Sequence, residues 1–501
     1  MSARRPASLS RLFAGLGAAA PDLEVTGLAL DSRRVAIGDL FLAARGSAAH
    51  GLSHLDQAIE RGAAAVAWEP APGISAPHSA IPEFAVPRLL QNIGIVASRF
   101  YGEPSKKAFV FGVTGTDGKT STAHLVAQAF ERISRPCAYF GTIGYGRISA
   151  LADASHTTPD PVSLQAWLAS SVEQGCTAVS MEVSSHALDQ NRVGGVEFDA
   201  VALTNVQRDH LDYHGTQERY AAAKRRLFEA DDARALILNR DDGFGLQWIA
   251  DLDATDARAR VIAYGLDGEA ANTPRWVIGR ELRLHGAGLS MTLDTHQGRA
   301  RLEAKLLGRF NAYNLMAAAA VLLSAGVSLA DTVQALAQTH TVPGRIEGFR
   351  GPKAAPLVVV DYAHTPQALE QILKALRAHA AGKLWCVFGC GGDRDRGKRP
   401  LMGAAAAAQA DRLVVTDDNP RSESPEAITD EILQGIPAQI EYRVIHDRAA
   451  AIRAAIFEAA ADDVVVIAGK GHEDYQIVGA ERRSFSDRAF VAELVGDQVR
   501  A

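Results

Sequence analysis

The sequence has few cysteines, no excess of positive charge and no long apolar run, and each absence excludes a class of protein. Four cysteines in 501 residues are too few and too scattered for a disulfide framework, which favours a reducing compartment such as the cytoplasm. A net charge of -6 argues against nucleic acid as a bulk partner, because proteins that bind phosphate backbones usually carry a basic face. No segment offers about 18 uninterrupted apolar residues, so we expect no membrane span.

The N-terminus faintly resembles a secretory signal, because two arginines precede the apolar stretch LFAGLGAAA. Its glycines and alanines would make a weak signal core. The helical spacing of Leu9, Leu12, Phe13 and Leu16 favours a first amphipathic helix instead.

Length and strand patterns predict an α/β protein of three domains. We place a smaller N-terminal α/β domain at residues 1–107 and a central domain with a mostly parallel sheet at 108–340, where strands and helices begin to alternate. The alternating stretch at 281–305 predicts an antiparallel edge. A third α/β domain at 341–501 begins at the VPGR turn, which indicates a joint.

The stretch FVFGVTGTDGKTS, which ends at Ser121, indicates a phosphate-binding loop between a buried strand and a helix. Glycines allow close backbone approach, amides at a helix N-terminus face the anion, Lys119 adds positive charge and the Thr120 hydroxyl can reach a magnesium ion. The commonest pattern would place a glycine at Val113, and a chance Gly-Lys-Thr is the alternative. The predicted nucleotide-phosphate contacts are Gly115, Thr116, Asp117, Gly118, Lys119, Thr120 and Ser121.

Two further predicted strands of this central region end in polar groups. One begins at Ala178 and ends at Glu182, and another, at 200–204, leads to His210. Either side chain alone could be an ordinary paired or exposed group. Because ligands of open α/β sheets bind beyond the carboxyl ends of the strands, we expect both beside the loop. Magnesium prefers hard oxygen ligands, which Thr120 and Glu182 offer, whereas His210 is a less usual ligand.

The last region carries the same arrangement on four predicted strands, LVVVDYAHTP, LWCVFGCGGDRDRGK, RLVVTDDNPRSESP and VVVIAGKGHEDYQ. Each runs from an apolar strand into a loop rich in glycine and charge. Any one could be a solvated loop, but together they predict one functional edge.

These motifs resemble those of the Mur ligases, in the same order along nearly the whole chain: TGTDGKTS, MEVSSHAL, RDHLDYHG, AAAKRRLF, GRFNAYN, VPGRIE, DYAHTP, GGDRDRGKRP, DNPRSESP and GKGHEDYQ. The resemblance implies a UDP-sugar-binding domain, an ATPase domain and a Rossmann-like amino-acid-binding domain, in agreement with the boundaries above. Asp117 stands where the family commonly has asparagine. Ile346 replaces a frequent methionine, a volume-conserving change.

The resemblance is strongest to the members that make the third amino-acid addition of peptidoglycan synthesis. It implies an ATP-dependent ligase that joins meso-2,6-diaminopimelate to the D-glutamate of UDP-N-acetylmuramoyl-L-alanyl-D-glutamate through an acyl phosphate. ATP and Mg2+ would be the cofactors. The partners would be these small molecules, not nucleic acid, and we expect a cytoplasmic monomer.

The resemblance also implies site residues. The catalytic residues would be Lys119, Glu182, His210 and Lys224. The metal would be held by Thr120, Glu182, His210 and a carbamylated Lys224. The sequence alone predicts instead that Lys224, in AAAKRRLF, belongs to a solvated basic face. ATP would contact the loop together with Asn311, Arg345 and His364. The UDP-sugar and its peptide would contact Leu30, Ser32, Ser47, Ala48, Ala49, Thr157, Thr158, Ser184, Gln190 and Arg192. Diaminopimelate would contact Arg394, Asp418, Asn419, Pro420, Arg421, Gly469 and Glu473.

The choice of amino acid depends on Arg421. Diaminopimelate differs from lysine by a second, distal carboxylate, and a guanidinium meets a carboxylate through two parallel hydrogen bonds. Glu473 would suit the distal ammonium. The alternatives are the same reaction with L-lysine, a folate polyglutamate ligase, and a non-catalytic nucleotide-dependent switch; the N-terminal region and DNPRSESP argue against the second.

Overall fold

The computed structural model describes residues 6–46, 49–154, 156–229, 233–269, 273–351 and 355–496. The chain divides into two compact units. The first comprises the described residues up to Tyr264, those within 270–276 and Ala320–Ser328. The second comprises Gly265–Glu269, Val277–Ala319 and the described residues from Leu329.

The first unit begins with a small α/β layer. Its elements are β1 (Ala7–Ser8), α1 (Leu9–Leu12), β2 (Glu24–Val25), β3 (Gly27–Ala29), β4 (Asp39–Ala43), α2 (Leu55–Glu60), β5 (Ala65–Trp68), β6 (Glu83–Ala85) and α3 (Leu89–Phe100). The strands β3 to β6 form a parallel sheet in chain order, and β1 pairs antiparallel with β2.

The larger sheet of this unit follows. Its elements are β7 (Phe109–Thr114), α4 (Lys119–Arg132), β8 (Cys137–Gly141), β9 (Gly144–Arg147), α5 (Pro161–Glu173), β10 (Ala178–Glu182), α6 (Ser185–Asp189), β11 (Ala200–Leu203), α7 (Leu211–His214), α8 (Gln217–Arg225), β12 (Ala235–Asn239), α9 (Gly243–Asp253) and β13 (Val261–Leu266). Short 3-10 turns lie at Ser32–Arg34, Gly51–His54, Pro104–Lys107, Ile148–Ala150, Arg226–Phe228 and Asp256–Arg260.

The part of this sheet that these elements form has the strand order β13-β12-β11-β7-β10-β8-β9, and all neighbours in it are parallel except β8 and β9. Apolar runs such as AVAL and ALILN form its strands because both faces are buried. The strands β10 and β11 flank β7, with Glu182 opposite Val113 and Leu203 opposite Thr114. The ends of these strands therefore lie beside the predicted phosphate loop, as expected.

The second unit contains antiparallel strands and a second parallel sheet. The elements that lie wholly or mostly in it are β14 (Arg275–His285), β15 (Gly288–Thr295), β16 (Gly298–Ala304), α10 (Arg309–Ser324), α11 (Leu329–Ala337), β17 (Glu347–Arg350), β18 (Leu357–Asp361), α12 (Pro366–Arg377), β19 (Leu384–Phe388), α13 (Lys398–Gln409), β20 (Arg412–Val415), α14 (Pro425–Leu433), β21 (Tyr442–Val444), α15 (Arg448–Glu458), β22 (Val464–Ala468), β23 (Tyr475–Val478), β24 (Glu481–Ser484) and α16 (Asp487–Val495).

The second sheet has the order β17-β18-β22-β19-β20-β21 and is parallel except at β17. Leu369 and Ile432 belong to the core that includes α12 and α14, and Ile452 and Val491 belong to a separate core that includes α15 and α16. The four predicted strands are neighbours in this sheet, so their charged loops leave its same edge.

The α/β class with mostly parallel sheets is confirmed, and so are the antiparallel strands within 281–305. The predicted first helix is confirmed only as the short α1, in which Leu9 and Leu12 are buried. No helix among the described residues is long and apolar enough to cross a membrane. The domain boundaries at 107 and 340 stay a prediction.

Asp242 connects α9 to the segment after β11. Its side chain accepts hydrogen bonds from the backbone N–H groups of Phe244 and Gly245 at the start of α9 and from that of Val206. We expect Asp242→Ala to destabilise the protein by about 2 kcal/mol, because a helix cap is lost and a backbone donor loses its partner. Calorimetry should show a lower unfolding temperature, while replacement of the exposed Asp256 by Ala should change it little.

Candidate active site

The predicted phosphate loop is held by main-chain geometry. Gly115 and Gly118 have φ angles of 153° and 82°, in the region that favours glycine. A Cβ added to Gly115 would lie 1.8 Å from the Thr204 hydroxyl, so the loop approaches β11 too closely for any side chain there. The helix α4 begins immediately after Gly118. Its N-terminal amides are thus presented at the end of β7, where an anion would bind.

Lys119 lies over its own loop. Its Nζ donates to the carbonyl oxygens of Gly115 and Thr116, at 2.8 Å each. Asp117 is exposed, and its backbone N–H donates to Asn205 Oδ1 at 3.0 Å. The departure from asparagine at position 117 therefore leaves this loop contact intact.

Glu182 is a buried carboxylate beside the loop, 1% exposed. One oxygen accepts from the Tyr139 hydroxyl at 2.5 Å and the Thr142 N–H at 2.9 Å. The other accepts from the Thr120 hydroxyl at 2.9 Å and the Thr142 hydroxyl at 3.3 Å. A Cβ on Gly141 would lie 2.1 Å from the first oxygen. These contacts hold the Glu182 carboxylate beside Thr120, the residue that follows Lys119.

Sequence reasoning missed Tyr139 and Thr142. Tyr139 is fully buried within the apolar strand β8. The sequence does contain one indication of its role, because a tyrosine inside a buried apolar strand needs a hydrogen-bond partner for its hydroxyl. The sequence could not have told which acceptor it would find.

Lys224 is buried, 1% exposed, and its Nζ donates to the Gly115 carbonyl at 2.7 Å. The amine also lies 4.3 Å from the centre of the Tyr220 ring. Burial, with a smaller effect of Lys119, lowers its pKa to about 6. The solvated basic face predicted from sequence alone is thus wrong for Lys224, because α8 turns this residue toward the core with Tyr220. Arg225 and Arg226 do form exposed or part-exposed ion pairs.

His210 occupies a different environment. Its φ angle is 51°, its side chain is 48% exposed and its Nε2 lies 3.4 Å from Asp209 Oδ2. Its ring packs edge-on against His186 with 4.9 Å between centroids. Among the described residues, no cluster of three or more His, Cys, Asp or Glu side chains is placed to hold a metal ion. A metal here would need hydroxyl, carbamate, phosphate or water oxygens as well.

Four of the five residues predicted to hold the muramoyl peptide form one hydrogen-bonded group. Thr158 donates its hydroxyl to the Glu182 carbonyl at 2.9 Å and accepts from the Ser184 N–H at 3.2 Å. Arg192 donates to the Thr158 carbonyl at 3.0 Å and to Gln190 Oε1 at 3.0 and 2.7 Å. These side chains are therefore joined to the backbone of Glu182.

Thr157 lies beside Thr142, which donates to Glu182, and the hydroxyls of the two threonines are 3.1 Å apart. The residues predicted to hold the uridine end lie in the N-terminal part of the first unit. Ser32 is buried and donates to Gln57 Oε1 at 2.6 Å, while Leu30 is half-buried. The Ala49 carbonyl accepts from the Gly46 N–H at 3.0 Å. Ser47 and Ala48 lie outside the described residues.

Most residues predicted to contact diaminopimelate come together at the ends of β20 and β22. A Cβ on Gly469 would lie 2.6 Å from Asp418 Oδ2. Burial raises the pKa of Asp418. Asn419 and the buried Lys470 donate to Glu473 Oε2, at 3.2 Å each. Lys470, present in the GKGHE motif but assigned no role, is therefore part of this cluster.

Arg421 follows Pro420 with a φ angle of 52°. Its N–H donates to the Ile477 carbonyl and its carbonyl accepts from the Gly479 N–H, so β23 and the turn after it fix its backbone. Its Nη1 donates to the Gly392 carbonyl at 2.7 Å. Arg394 is exposed and donates to the Asp393 carbonyl at 3.2 Å.

The remaining predicted ATP contacts belong to the second unit. Asn311 is 3% exposed. Its Nδ2 donates to the Leu307 carbonyl, and its Oδ1 accepts from Asn314 Nδ2. Arg345 is exposed in the turn after α11. His364 is exposed, and its Nδ1 lies 2.9 Å from the Tyr362 carbonyl.

The burial of Lys224 has a consequence for stability. The folded protein has a Lys224 pKa of about 6, against 10.5 for the ordinary side chain, so between these values the unfolded chain binds more protons. Stability contributed at this position therefore rises with pH across that window. We expect the unfolding temperature of Lys224→Met to fall relative to that of the parent protein between about pH 7 and about pH 9. Thermal unfolding in CO2-free buffer checks this, and a constant difference would contradict it.

Three family models match the chain in order. They are described as Mur ligase family, catalytic domain, over residues 24–101; Mur ligase middle domain, over residues 113–322; and Mur ligase, glutamate ligase domain, over residues 344–471. Together the three matched ranges include residues of both units.

Named relatives match over almost the whole length. A protein of Alkalilimnicola ehrlichii, the UDP-N-acetylmuramoyl-L-alanyl-D-glutamate--2,6-diaminopimelate ligase, is 48% identical over 487 residues, with 96% of each chain covered. Its namesake in Pseudomonas aeruginosa is 47% identical over 482 residues, again with 96% of each covered. A solved structure of that name is 36% identical, with a TM-score of 0.80 over 98% of this chain and 99% of its own. This chain belongs to the Mur ligase family.

Proposed function

We propose that this chain catalyses the ATP-dependent joining of meso-2,6-diaminopimelate to the D-glutamate carboxyl of UDP-N-acetylmuramoyl-L-alanyl-D-glutamate. The observation that carries the proposal is Arg421, whose backbone is anchored beside the cluster of Asp418, Asn419 and Glu473. The names of the relatives at 48% and 47% identity support the same substrates. The expected monomer and cytoplasmic location stay predictions.

The reaction activates a carboxylate before an amine attacks it. A carboxylate oxygen of D-glutamate attacks the γ-phosphorus of ATP, the bond to the β-phosphate oxygen breaks and ADP leaves. The neutral amine of the incoming amino acid then attacks the carbonyl carbon of this acyl phosphate. Inorganic phosphate departs from the tetrahedral intermediate, and the amine loses a proton. Such chemistry depends mainly on positioning and on charge neutralisation.

The first unit offers the groups that this activation needs. The amides at the start of α4 and the Lys119 ammonium suit the phosphates of ATP, once Lys119 leaves the loop carbonyls that it now contacts. Thr120 and Glu182 offer adjacent oxygens, 2.9 Å apart, which is the donor chemistry that Mg2+ prefers. The bound ion would offset the negative charge of the phosphates. Thr158, bonded to the Glu182 carbonyl, would hold the peptide next to them.

The state of Lys224 supports the proposed carbamylation. Only a neutral amine has the lone pair that attacks CO2, and a pKa of about 6 makes the neutral form dominant at neutral pH. The product is an anionic carbamate, formed with loss of one proton. It would replace the amine with two oxygens next to Gly115, where they suit a metal ion.

The second unit offers recognition of the amino acid. A guanidinium carries five N–H donors, and the contacts of Arg421 with the carbonyls of Gly392 and Asn419 use only Nη1 among the described residues. Nε and Nη2 thus suit a bidentate pair with the distal carboxylate of diaminopimelate. Glu473 suits its distal ammonium. Lysine would leave the guanidinium without this partner, which is the basis of selectivity.

Phosphate release from ATP tests the function. The purified protein receives ATP, Mg2+ and the UDP-muramoyl dipeptide, and each amino acid is added separately. We expect amide formation with meso-diaminopimelate and little with L-lysine. The Lys119→Ala variant is the inactive control, because its loop lacks the cation that faces the phosphates. Activity with lysine but not diaminopimelate would overturn the specificity, and glutamate addition to a folate would overturn the substrate class.

Replacement of the specificity arginine gives a narrower test. We expect Arg421→Ala to lower kcat/KM for diaminopimelate by about 100-fold, because a charged, bidentate contact is lost. ADP formed in one turnover without amino acid should not change. Replacement of the exposed Arg443 by Ala is the matched control. A loss of both half-reactions would contradict a role limited to the amino acid.

A further inference from the structure

Arg399 is the largest fully buried side chain among the described residues, and it belongs to none of the predicted sites. It lies in the first turn of α13, after the GGDRDRG loop. Its guanidinium donates to both carboxylate oxygens of Glu423, at 2.8 and 2.9 Å, and to Glu431 at 2.8 Å. It also donates to the Gly391 carbonyl at 3.3 Å. One buried cation thus meets two carboxylates and one loop carbonyl.

Burial of an ion pair seldom stabilises a fold more than apolar residues of similar size would. The core beside α13 already contains Met402 and Ala406. The role of Arg399 is therefore better explained by what its charge holds in place.

Arg399 bridges two loops that leave neighbouring strands. The loop 391–395 follows β19, and the loop 419–424 follows β20. Gly391 belongs to the first loop and Glu423 to the second, and the guanidinium contacts both. Glu423 also accepts from the Asp393 N–H at 2.5 Å, which closes the bridge on the other side.

The two loops are joined along their length. The Gly392 N–H donates to the Asn419 carbonyl at 2.9 Å, and the Ser422 hydroxyl donates to Asp393 at 2.6 Å. A Cβ on Gly392 would lie 1.9 Å from the Pro420 carbonyl, so the backbones are in direct contact. The Gly392 carbonyl, in turn, accepts from Arg421.

Arg421 and Asp393 have φ angles of 52° and 53°, a left-handed conformation that aspartate tolerates but that is unfavourable for arginine. Such conformations persist only where neighbouring groups hold them. On one side, Ile477 and Gly479 hold the Arg421 backbone. On the other side, the Arg421 side chain contacts the loop that Arg399 and Glu423 fasten.

We infer that Arg399 is a positioning residue for amino-acid recognition: through Glu423 it fastens the loop 391–395 against the loop 419–424 and so sets where the Arg421 guanidinium meets the substrate. This inference rests on the proposed function. It assigns Arg399 and Glu423 no contact with substrate.

The test weakens the bridge at its more accessible end. Glu423→Gln keeps the size of a side chain that is 21% exposed and removes its charge. We expect the KM for diaminopimelate to rise about tenfold, because the loops lose a charged contact of the Arg399 network. The KM values for ATP and the UDP-muramoyl dipeptide, and ADP formation without amino acid, should stay the same. Arg399→Lys, which cannot span both carboxylates, should raise the same KM.

Glu458→Gln is the matched control, because Glu458 pairs with Arg443 at 2.6 Å on the same unit, remote in sequence from both loops. It should leave every KM unchanged. Unfolding temperatures are measured for all variants. If Glu423→Gln raises all KM values together with a lower unfolding temperature, its role is general stability and the inference is overturned.

A double-mutant cycle separates positioning from independent effects. In the Arg421→Ala background, Glu423→Gln should change the KM for diaminopimelate little further, because the group that it positions is absent. Independent, multiplying effects would overturn the inference. The activities of the parent protein and of Arg421→Ala test the proposed function by itself. If the parent protein does not use diaminopimelate, the proposed function fails. If the parent is active and Glu423→Gln has an unchanged KM for diaminopimelate, only the inference about Arg399 is refuted.

Discussion

One carbonyl oxygen, that of Gly115, receives hydrogen bonds from the amines of both Lys119 and Lys224. Two ammonium groups so close would repel each other, and the buried one also loses its hydration. The depressed pKa of Lys224 resolves this conflict, because the buried amine favours its neutral form. The two proposed roles, phosphate contact by Lys119 and carbamylation of Lys224, therefore meet at one oxygen. The close approach of the loop to Thr204, which only glycine allows at position 115, makes this pairing possible.

The sequence was sufficient to predict which strands and loops form the candidate site. It was insufficient to predict which buried side chains contact one another within it. Apolar runs that end in Gly-Lys-Thr and in Glu182 predicted neighbouring parallel strands, because burial on both faces leaves a clear pattern. Lys224 gave no such signal, since a lysine beside two arginines looks solvated until the helix is packed. Tyr139 was hidden for a related reason. A polar atom inside an apolar strand reveals a need for a partner, and only the tertiary fold supplies one.

Charge sets the loops of the second unit as much as apolar packing does. Arg448 and Asp487 form a pair that is almost wholly buried, and Arg448 also donates to the carbonyls of Asp417 and Ala468. Those carbonyls immediately precede Asp418 and Gly469. Arg399 does the same for the loops around Arg421. Guanidinium groups suit this work because their fixed, planar set of donors can hold several backbone segments at once. The sequence motifs predicted these loops, but not that the buried guanidinium groups of Arg399 and Arg448 hold them in place.

Position 117 shows how loosely a motif and its geometry can be linked. The main chain of Asp117 is held at both ends, with its N–H on Asn205 Oδ1 and its carbonyl accepting from the Thr204 hydroxyl and the Asn205 amide. Its side chain is exposed and takes no part in these bonds. Asparagine and aspartate are therefore equally compatible with these main-chain contacts of the loop. They differ in charge, and the charge of Asp117 acts on the buried Lys224 amine, where it raises the pKa that burial lowers.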